Sequence, residues 1–316
     1  MKARNALSIT GGLGNQLFQL AAGLFLQESK SFYIETSLGK PRCNSIGEAE
    51  LLSYSLPDRV RTLESRKFRW LTSKAIGYRL RMGIYPRFYE KAKILRIALE
   101  FTSEIILSFK MHRFYRIVAA EGLGFASIEI AGDNNFVIGY FQSYRWASEP
   151  RVLEELKKLR LKINTSEIAD YEKLAAIEKP LIVHIRLGDY KDQSSFGIPG
   201  AKYYESAIKK LWATGKYHRI WIFSDEPELA SRKLPNDLSE SFRWVNEIAN
   251  SASATLEVMR MGHGYVIANS SFSWWGAFLS KNEEVPVICP SPWFIGETSP
   301  IELIPPNWEQ IPISID

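Results

Sequence analysis

The second half of the chain alternates short apolar segments with longer amphipathic ones, and this alternation constrains the fold more than any other feature. It predicts five strands, at residues 181–185, 219–223, 242–245, 265–268 and 285–289. It predicts four helices between them, at residues 201–214, 226–233, 252–261 and 272–279. Strands that alternate with helices form a parallel, doubly wound sheet with right-handed crossovers. We therefore expect an α/β fold whose strands end at one common edge.

The first of these strands ends in charged residues. Residues 180–190 read PLIVHIRLGDY, an apolar, β-branched run that contains His184 and Arg186. These two residues are two positions apart, so on a strand they point to the same side. A buried arginine needs an anionic partner, and open α/β sheets bind ligands at the carboxyl ends of their strands. Arg186 is therefore either half of an Arg–Asp pair that closes a turn, or a ligand for a bound anion.

Two further strand ends carry polar residues. Asp225 and Glu226 follow the strand at 219–223, and Asn269, Ser270 and Ser271 follow the strand at 265–268. The second group opens a helix, so its hydroxyls and unpaired N–H groups suit an anion. Ordinary N-capping is the alternative, although it needs only one of the three residues. Asp225 suits the N–H or O–H donors of a guanine or a ribose, or else it caps the next helix.

The N-terminus repeats the order of strand, turn and helix. A strand is predicted at residues 6–10, a glycine turn at residues 11–16 (GGLGNQ) and an apolar helix at residues 17–27. This order places backbone N–H groups and a helix N-terminus against a phosphate or a sugar. A tight strand-to-helix turn is the alternative. The amides of Asn15 and Gln16 favour a ligand, because an apolar or capping residue would otherwise suffice there.

The segments between these two regions predict where the domains divide. Strands are expected at residues 32–35 and 135–142, and amphipathic helices at residues 151–161 and 166–177. The division is expected directly before Lys179-Pro180.

The composition fits a globular protein of about two domains, with 316 residues that are 46% hydrophobic and 13% aromatic. Cys43 and Cys289 lie far apart and lack metal-ligand spacing, which fits a reduced cytoplasmic compartment. No apolar run approaches the roughly 20 residues that span a bilayer. Polar residues between Gly11 and Gln19 interrupt the apolar core that a signal peptide would need.

The net charge of +5 is unevenly distributed. Residues 59–116 hold 15 lysines and arginines against four glutamates, a net charge of +11, so the rest of the chain is net negative. This block predicts contact with an anionic surface, such as a membrane or a lipid-linked acceptor. A solvated helical insert with a basic face is the alternative, and residues 51–116 as a whole are predicted to be largely helical. Nucleic acid is not expected, because no binding motif accompanies the charge.

Five segments together resemble glycosyltransferase family 11, the α-1,2-fucosyltransferases, and this chain looks like a bacterial member. They are GGLGNQLFQLAAG at residues 11–23, GYFQSYRW at 139–146, HIRLGDY at 184–190, FSDE at 223–226 and LEVMRMGHGYVIANSSFSWWGAFLS at 256–280. They occur in the family order over nearly the full length, and the last is highly specific.

The resemblance implies a GT-B-like fold, in which two Rossmann-type α/β domains face a cleft. The expected N-terminal, acceptor-side domain is residues 1–178 and contains the helical basic insert at 51–116. The expected GDP-fucose-binding domain is residues 179–316. The implied activity is inverting transfer of L-fucose from GDP-fucose to a galactose-terminated glycan such as an O-antigen precursor. Bacterial relatives work in the cytoplasm at the inner face of the plasma membrane.

The resemblance also implies roles for individual residues. Arg186 would bind the β-phosphate and stabilise the leaving GDP, and it would do so alone, because the second arginine often found in the family is replaced here by Leu187. Asp189 and Glu226 are the candidates for a base. The implied donor-binding residues are Gly12, Gly14, Asn15, His184, Arg186, Asp225, Asn269, Ser270, Ser271 and Phe272. No metal or other cofactor is expected. Two alternatives remain: a transferase for another nucleotide sugar, or a non-catalytic protein that binds glycans or nucleotides.

Overall fold

The computed structural model describes residues 5–28, 30–36, 48–63, 116–120, 122–130, 132–188, 197–295 and 299–313. The chain divides into two compact units. The first consists of Met1–Arg160 and Pro300–Leu303, and the second of Leu161–Ser299 and Ile304–Asp316. This division lies earlier in the chain than the one expected before Lys179, because the helix that precedes Lys179 packs within the second unit: Tyr171 meets Trp221 edge-on, with ring centroids 5.3 Å apart.

The described part of the first unit contains a parallel sheet of five strands. The strands described in this unit are β1 (Ala6–Ser8), β2 (Phe32–Glu35), β3 (Tyr54–Ser55), β4 (Val60–Leu63), β5 (Arg116–Ala119) and β6 (Asn135–Ile138). All of them except β3 belong to this sheet. The sheet order is β4-β2-β1-β6-β5, and every neighbouring pair is parallel. The central strand β1 pairs Ala6 with Tyr33 on one side and with Phe136 on the other.

Among the described residues of the first unit, three α-helices accompany this sheet: α1 (Leu13–Leu26), α2 (Tyr144–Ser148) and α3 (Pro150–Lys157). A 3₁₀ turn also forms at Glu50–Ser53. The buried indole of Trp146 on α2 packs against the rings of Phe25, Phe125 and Phe141, with centroids 4.6 to 6.0 Å apart. Large aromatic rings in such edge and tilted contacts stabilise the core beyond their buried area.

Two expectations for the first unit do not match the described residues. Helix α1 begins at Leu13, four residues before the predicted start. The N–H groups of the first helical turn need no acceptor within the helix, so residues such as Gly14 and Asn15 are tolerated there. Residues 51–63 contain no α-helix; they include the end of the 3₁₀ turn and the strands β3 and β4. The alternation of Val60 with polar neighbours fits an edge strand, as β4 is. Most of the basic block, residues 64–115, lies outside the described residues.

The second unit is built on a six-stranded parallel sheet. A two-residue strand, β7 (Arg160–Leu161), comes before it. The sheet strands are β8 (Leu181–Ile185), β9 (Ile220–Ser224), β10 (Phe242–Val245), β11 (Gly264–Val266), β12 (Val287–Ser291) and β13 (Glu309–Pro312). Their order is β10-β9-β8-β11-β12-β13, all parallel, which is the 3-2-1-4-5-6 order of a Rossmann fold. The strand order reverses between β8 and β11, where such sheets bind their ligands.

The connecting helices are α4 (Ser166–Glu178), α5 (Ala201–Trp212), α6 (Pro227–Ala230), α7 (Ala252–Met259) and α8 (Ser271–Phe278). Short 3₁₀ turns lie at Ser231–Lys233, Asn236–Ser241 and Ile248–Asn250. Every residue of β8 is buried, as expected for a strand covered on both faces. The five strands predicted in this half are present, and β13 was not predicted.

The α/β class is confirmed, with two Rossmann-type units of the kind that make up the GT-B fold. Within the part of the chain that the structure describes, no helix combines the length and the apolar character needed to cross a bilayer.

Candidate active site

The carboxyl end of β8 carries the arginine singled out from the sequence. Arg186 directly follows the strand, and its Nη1 lies 3.1 Å from Oδ2 of Asp225. The two side chains are only 21% and 24% exposed, so the pair is largely shielded but still reachable from solvent. Arg186 is therefore paired with an aspartate, which is the first of the two interpretations drawn from the sequence. Its aspartate follows β9, and an anion can still reach the exposed part of the guanidinium.

Asp225 also holds the chain that leaves β8. Its Oδ1 accepts the Leu187 N–H at 3.0 Å and its Oδ2 accepts the Gly188 N–H at 2.9 Å. A Cβ at position 188 would lie 2.5 Å from Asp225 Oδ2, so only glycine lets the backbone approach the carboxylate this closely. One carboxylate thus ties together Arg186 and the two residues that follow it.

His184, two residues before Arg186 on β8, is buried. Its side chain is 6% exposed, and among the described residues its Nδ1 has no hydrogen-bond partner. The pKa of His184 is lowered to about 3, mainly by burial and also by the positive charge of Arg186, while the negative charge of Asp225 opposes both effects. The imidazole is therefore neutral at physiological pH. Its ring centroid lies 6.0 Å from that of Phe272, which places β8 and the start of α8 side by side.

The turn from β11 into α8 is fixed by Asn269. This side chain is 1% exposed, and its Nδ2 donates to the carbonyls of Gly197 at 2.9 Å and Trp293 at 3.0 Å. Ser270 then takes the N-cap position, with φ of −124°, but its hydroxyl does not cap the helix. The first N–H groups of a helix have no intrahelical acceptor and bear partial positive charge. The start of α8, beginning at Ser271, is therefore suited to an anion.

The first unit presents a second helix start at the carboxyl end of β1. Gly11 adopts a left-handed φ of +73°, and a Cβ there would lie 2.7 Å from Nδ2 of Asn15. Asn15 Oδ1 in turn accepts from Nε2 of Gln142 at 2.9 Å. Gln16 is fully buried and binds main chain on both sides: it donates to the Gly11 carbonyl and accepts the Leu51 N–H, each at 2.8 Å. Asn15 and Gln16 were the two amides that suggested a ligand. Gln16 instead uses its side chain to stabilise the turn.

The glycines of the same turn have different positions. Gly12 is the N-cap of α1, with extended backbone, and Gly14 is buried within the first turn of the helix. The N–H groups that follow Gly12 are those that a helix start offers to a ligand.

The structure brings together one set of predicted residues at the β8–β11 edge. They are His184, Arg186, Asp225, Asn269, Ser270, Ser271 and Phe272. The first-unit residues Gly12, Gly14 and Asn15 share one turn. Glu226 is half-buried at the start of α6, where its N–H donates to Ser224 Oγ at 3.1 Å. Asp189 lies outside the described residues.

Two residues that hold these turns, one in each unit, were missed from the sequence. Gly188 was read only as the end of a strand, although its close approach to Asp225 holds the turn. Gln142 was quoted within the segment GYFQSYRW without a role, and it anchors Asn15. Both contacts join residues more than 30 positions apart, so neither has a local sequence signal.

Comparison with known proteins places the chain in a family. The model of glycosyl transferase family 11 matches residues 75–297. An α-1,2-colitosyltransferase of Escherichia coli is 24% identical over 315 residues, covering 96% of this chain and 97% of the relative. The O-antigen biosynthesis glycosyltransferase WbnK of Escherichia coli is 26% identical over 303 residues, covering 91% and 94%.

Solved structures of glycosyltransferases also align with the chain. The fucosyltransferase NodZ from Bradyrhizobium is 14% identical and gives a TM-score of 0.47, with 91% of this chain and 94% of NodZ covered. The ADP-heptose heptosyltransferase II of Escherichia coli is 12% identical and gives the same TM-score, with 98% and 90% covered. The family model, which covers more than half of the sequence, decides the assignment: this chain belongs to glycosyl transferase family 11 and is a glycosyltransferase.

Proposed function

We propose that the protein transfers L-fucose from GDP-fucose, with inversion, to the 2-hydroxyl of a terminal galactose on an O-antigen precursor. The observation that carries the proposal is the position of Arg186, held by Asp225 at the switch point of a Rossmann sheet. Family membership and the names of the two Escherichia coli relatives, an α-1,2-colitosyltransferase and an O-antigen glycosyltransferase, support the linkage and the acceptor class.

The chemistry follows from where charge develops. The acceptor oxygen attacks the anomeric carbon of fucose as the bond from that carbon to the β-phosphate oxygen breaks, and GDP leaves with the bonding electrons. Negative charge therefore grows on the β-phosphate. Arg186 and the N–H groups at the start of α8 oppose that charge, and fixed donors of this kind are worth roughly 2.7–4 kcal/mol each in a transition state.

The neutral state of His184 has a specific consequence for this chemistry. A neutral imidazole offers one N–H donor and one acceptor, whereas an imidazolium offers two donors. Because burial keeps His184 neutral, we propose that it lines the donor site as a hydrogen-bonding group and that Arg186 supplies the positive charge. We also propose that Gly12, Gly14 and Asn15 contact the donor from the first unit.

The proton of the acceptor hydroxyl needs a destination. We propose Asp189 or Glu226 as the base, since both follow strand ends of the second sheet. The variants Asp189→Asn and Glu226→Gln distinguish them. The residue that acts as base should show a large loss of kcat with an unchanged KM for GDP-fucose.

Two further proposals concern the surroundings of the reaction. We propose that transfer requires no divalent metal, because an arginine and a helix start can neutralise the leaving group; addition of EDTA should leave the rate unchanged. We propose that the basic block at residues 59–116 contacts the anionic inner face of the plasma membrane or a lipid-linked acceptor. Binding to anionic vesicles in preference to neutral ones would support this contact, and equal binding to both would dismiss it.

The alternative donor is GDP-colitose, favoured by the name of one relative. Colitose is fucose without its 3-hydroxyl, so both sugars fit the same reaction. A site built to bind the 3-hydroxyl would reject colitose strongly, because its own polar groups would be left unpaired.

A donor panel with product analysis tests the proposal. GDP-fucose, GDP-colitose, GDP-mannose and UDP-galactose are each supplied with galactose-terminated acceptors, and the linkage of each product is determined. We expect GDP-fucose to react fastest and to give a product in which fucose is linked to the 2-hydroxyl of galactose. If neither GDP-fucose nor GDP-colitose is used as a donor, the proposal is refuted. A preference for GDP-colitose over GDP-fucose would select the alternative.

A further inference from the structure

We infer that Asp225 is a positioning residue for the transfer, acting through Arg186 rather than by contact with the nucleoside. The inference rests on the proposed function, because Arg186 needs a leaving phosphate on which to act. It departs from the direct contact with the nucleoside that the sequence suggested.

The hydrogen-bond geometry is the first support. Each oxygen of Asp225 accepts one main-chain N–H, from Leu187 at 3.0 Å and from Gly188 at 2.9 Å, and Oδ2 also pairs with Arg186 at 3.1 Å. Three donors from three consecutive residues converge on one carboxylate. They occupy three of the roughly four lone-pair positions of a carboxylate, which leaves Asp225 little capacity to bind a nucleoside as well.

The anchoring of Asp225 is the second support. It follows β9, which pairs with β8 in register, so that Ile185 lies beside Ser224. The carboxylate is thus carried on a rigid strand end next to the turn that it binds. A long, flexible arginine loses less entropy on binding a phosphate when one of its nitrogens is already held.

The space at Gly188 is the third support. A methyl group there would overlap Asp225 Oδ2 at 2.5 Å, so Gly188→Ala should displace the carboxylate without removing its charge. Two different substitutions, Asp225→Asn and Gly188→Ala, therefore disturb the same arrangement. In Asp225→Asn one amide N–H₂ must face a donor, either a main-chain N–H or the guanidinium.

Kinetics of wild type and variants with radiolabelled GDP-fucose test the inference. Asp225→Asn and Gly188→Ala should each lower kcat by about 10- to 100-fold, the range expected for hydrogen bonds to a charged group. For Asp225→Asn the KM for GDP-fucose should stay within about threefold, because loss of the carboxylate charge also removes its repulsion of the pyrophosphate. In an Arg186→Ala background, Asp225→Asn should cost under about threefold more, because residues that act as a unit are not additive.

A matched control separates this role from general destabilisation. Asp170→Asn removes an aspartate of the same unit whose pair with Lys173, at 3.0 Å, is exposed; its kcat should equal that of wild type. Circular dichroism of each variant checks the fold.

Three results would overturn the inference. They are a kcat for Asp225→Asn within threefold of wild type, an undiminished loss in the Arg186→Ala background, or a loss confined to KM. In each of these cases the wild type still transfers fucose. A wild-type protein that transfers no sugar from any donor would instead refute the proposed function, and the inference with it.

Discussion

Replacement of His184 by glutamine gives a test whose size can be worked out from the structure. The imidazole is 6% exposed, and burial lowers its pKa to about 3, against about 6.5 in an unfolded chain. Between these two pKa values the unfolded state binds a proton that the folded state does not. The free energy of unfolding therefore falls as the pH falls, by about 1.4 kcal/mol for each pH unit well inside that interval.

Integrated from pH 7 to pH 5, this effect amounts to about 2 kcal/mol of lost stability. Glutamine does not titrate, so His184→Gln should lack this component of the acid destabilisation. Urea unfolding of wild type and variant at both pH values, followed by tryptophan fluorescence, measures the difference. Other titrating groups are common to both proteins and cancel when the variant is subtracted.

Val183→Ala serves as the matched control on the same strand. Val183 is fully buried but carries no proton, so its loss should destabilise the protein equally at pH 7 and pH 5. If wild type and His184→Gln lose the same stability between these pH values, the histidine is not held neutral by burial, and its assigned role as a neutral donor-site group fails.

Two further changes test the framework around the sites. Glu178→Gln should cost about 2 kcal/mol of unfolding free energy, because Glu178 accepts from Trp221 and Arg243 in a largely buried position. Burial raises the pKa of Glu178, but these hydrogen bonds outweigh burial and lower the pKa overall. The stabilisation should therefore be lost in wild type as the pH falls below about 4. A Glu178→Gln variant as stable as wild type at pH 7 would contradict the prediction. Gln16→Leu should cost about 2–4 kcal/mol in urea unfolding, because it leaves the Gly11 carbonyl without that donor; a cost under about 0.5 kcal/mol would show that the turn holds without it.

The periodic segments of the second unit could be predicted from the sequence. The strand at 181–185 was predicted with the boundaries observed for β8, and the strand at 242–245 with those of β10. For β8 the signal is a continuous, β-branched-rich apolar run between turn residues, which is typical of a buried parallel strand. Strand β13 was missed, because Glu309–Pro312 is short, ends in proline and lies at the sheet edge, where such residues are tolerated.

The candidate site was predicted as a group of residues but not as a set of contacts. Because strands of a parallel sheet end at one edge, the sequence could place Arg186, Asp225 and Ser270 near one another. It could not show that Asp225 binds the Leu187 and Gly188 N–H groups, since those contacts depend on strand register.

The first unit was harder to predict for a related reason. Gln16 and Asn15 are adjacent amides in the sequence, yet one is fully buried against main chain and the other is half-buried beside Gln142. Their roles depend on which face of α1 each occupies. The sequence prediction left both residues in the turn before the helix, whereas α1 begins at Leu13 and includes them, so the local pattern alone could not assign their faces.

The most direct test of the central claim is the rate of transfer from GDP-fucose to a galactose-terminated acceptor by Arg186→Ala, relative to wild type. Arg186 is the cation that the structure holds at the end of β8, beside a histidine kept neutral by burial. If it neutralises the leaving phosphate, its loss should lower kcat by about 100-fold or more, equivalent to about 2.7 kcal/mol. A folded variant with kcat within threefold of wild type would contradict the account.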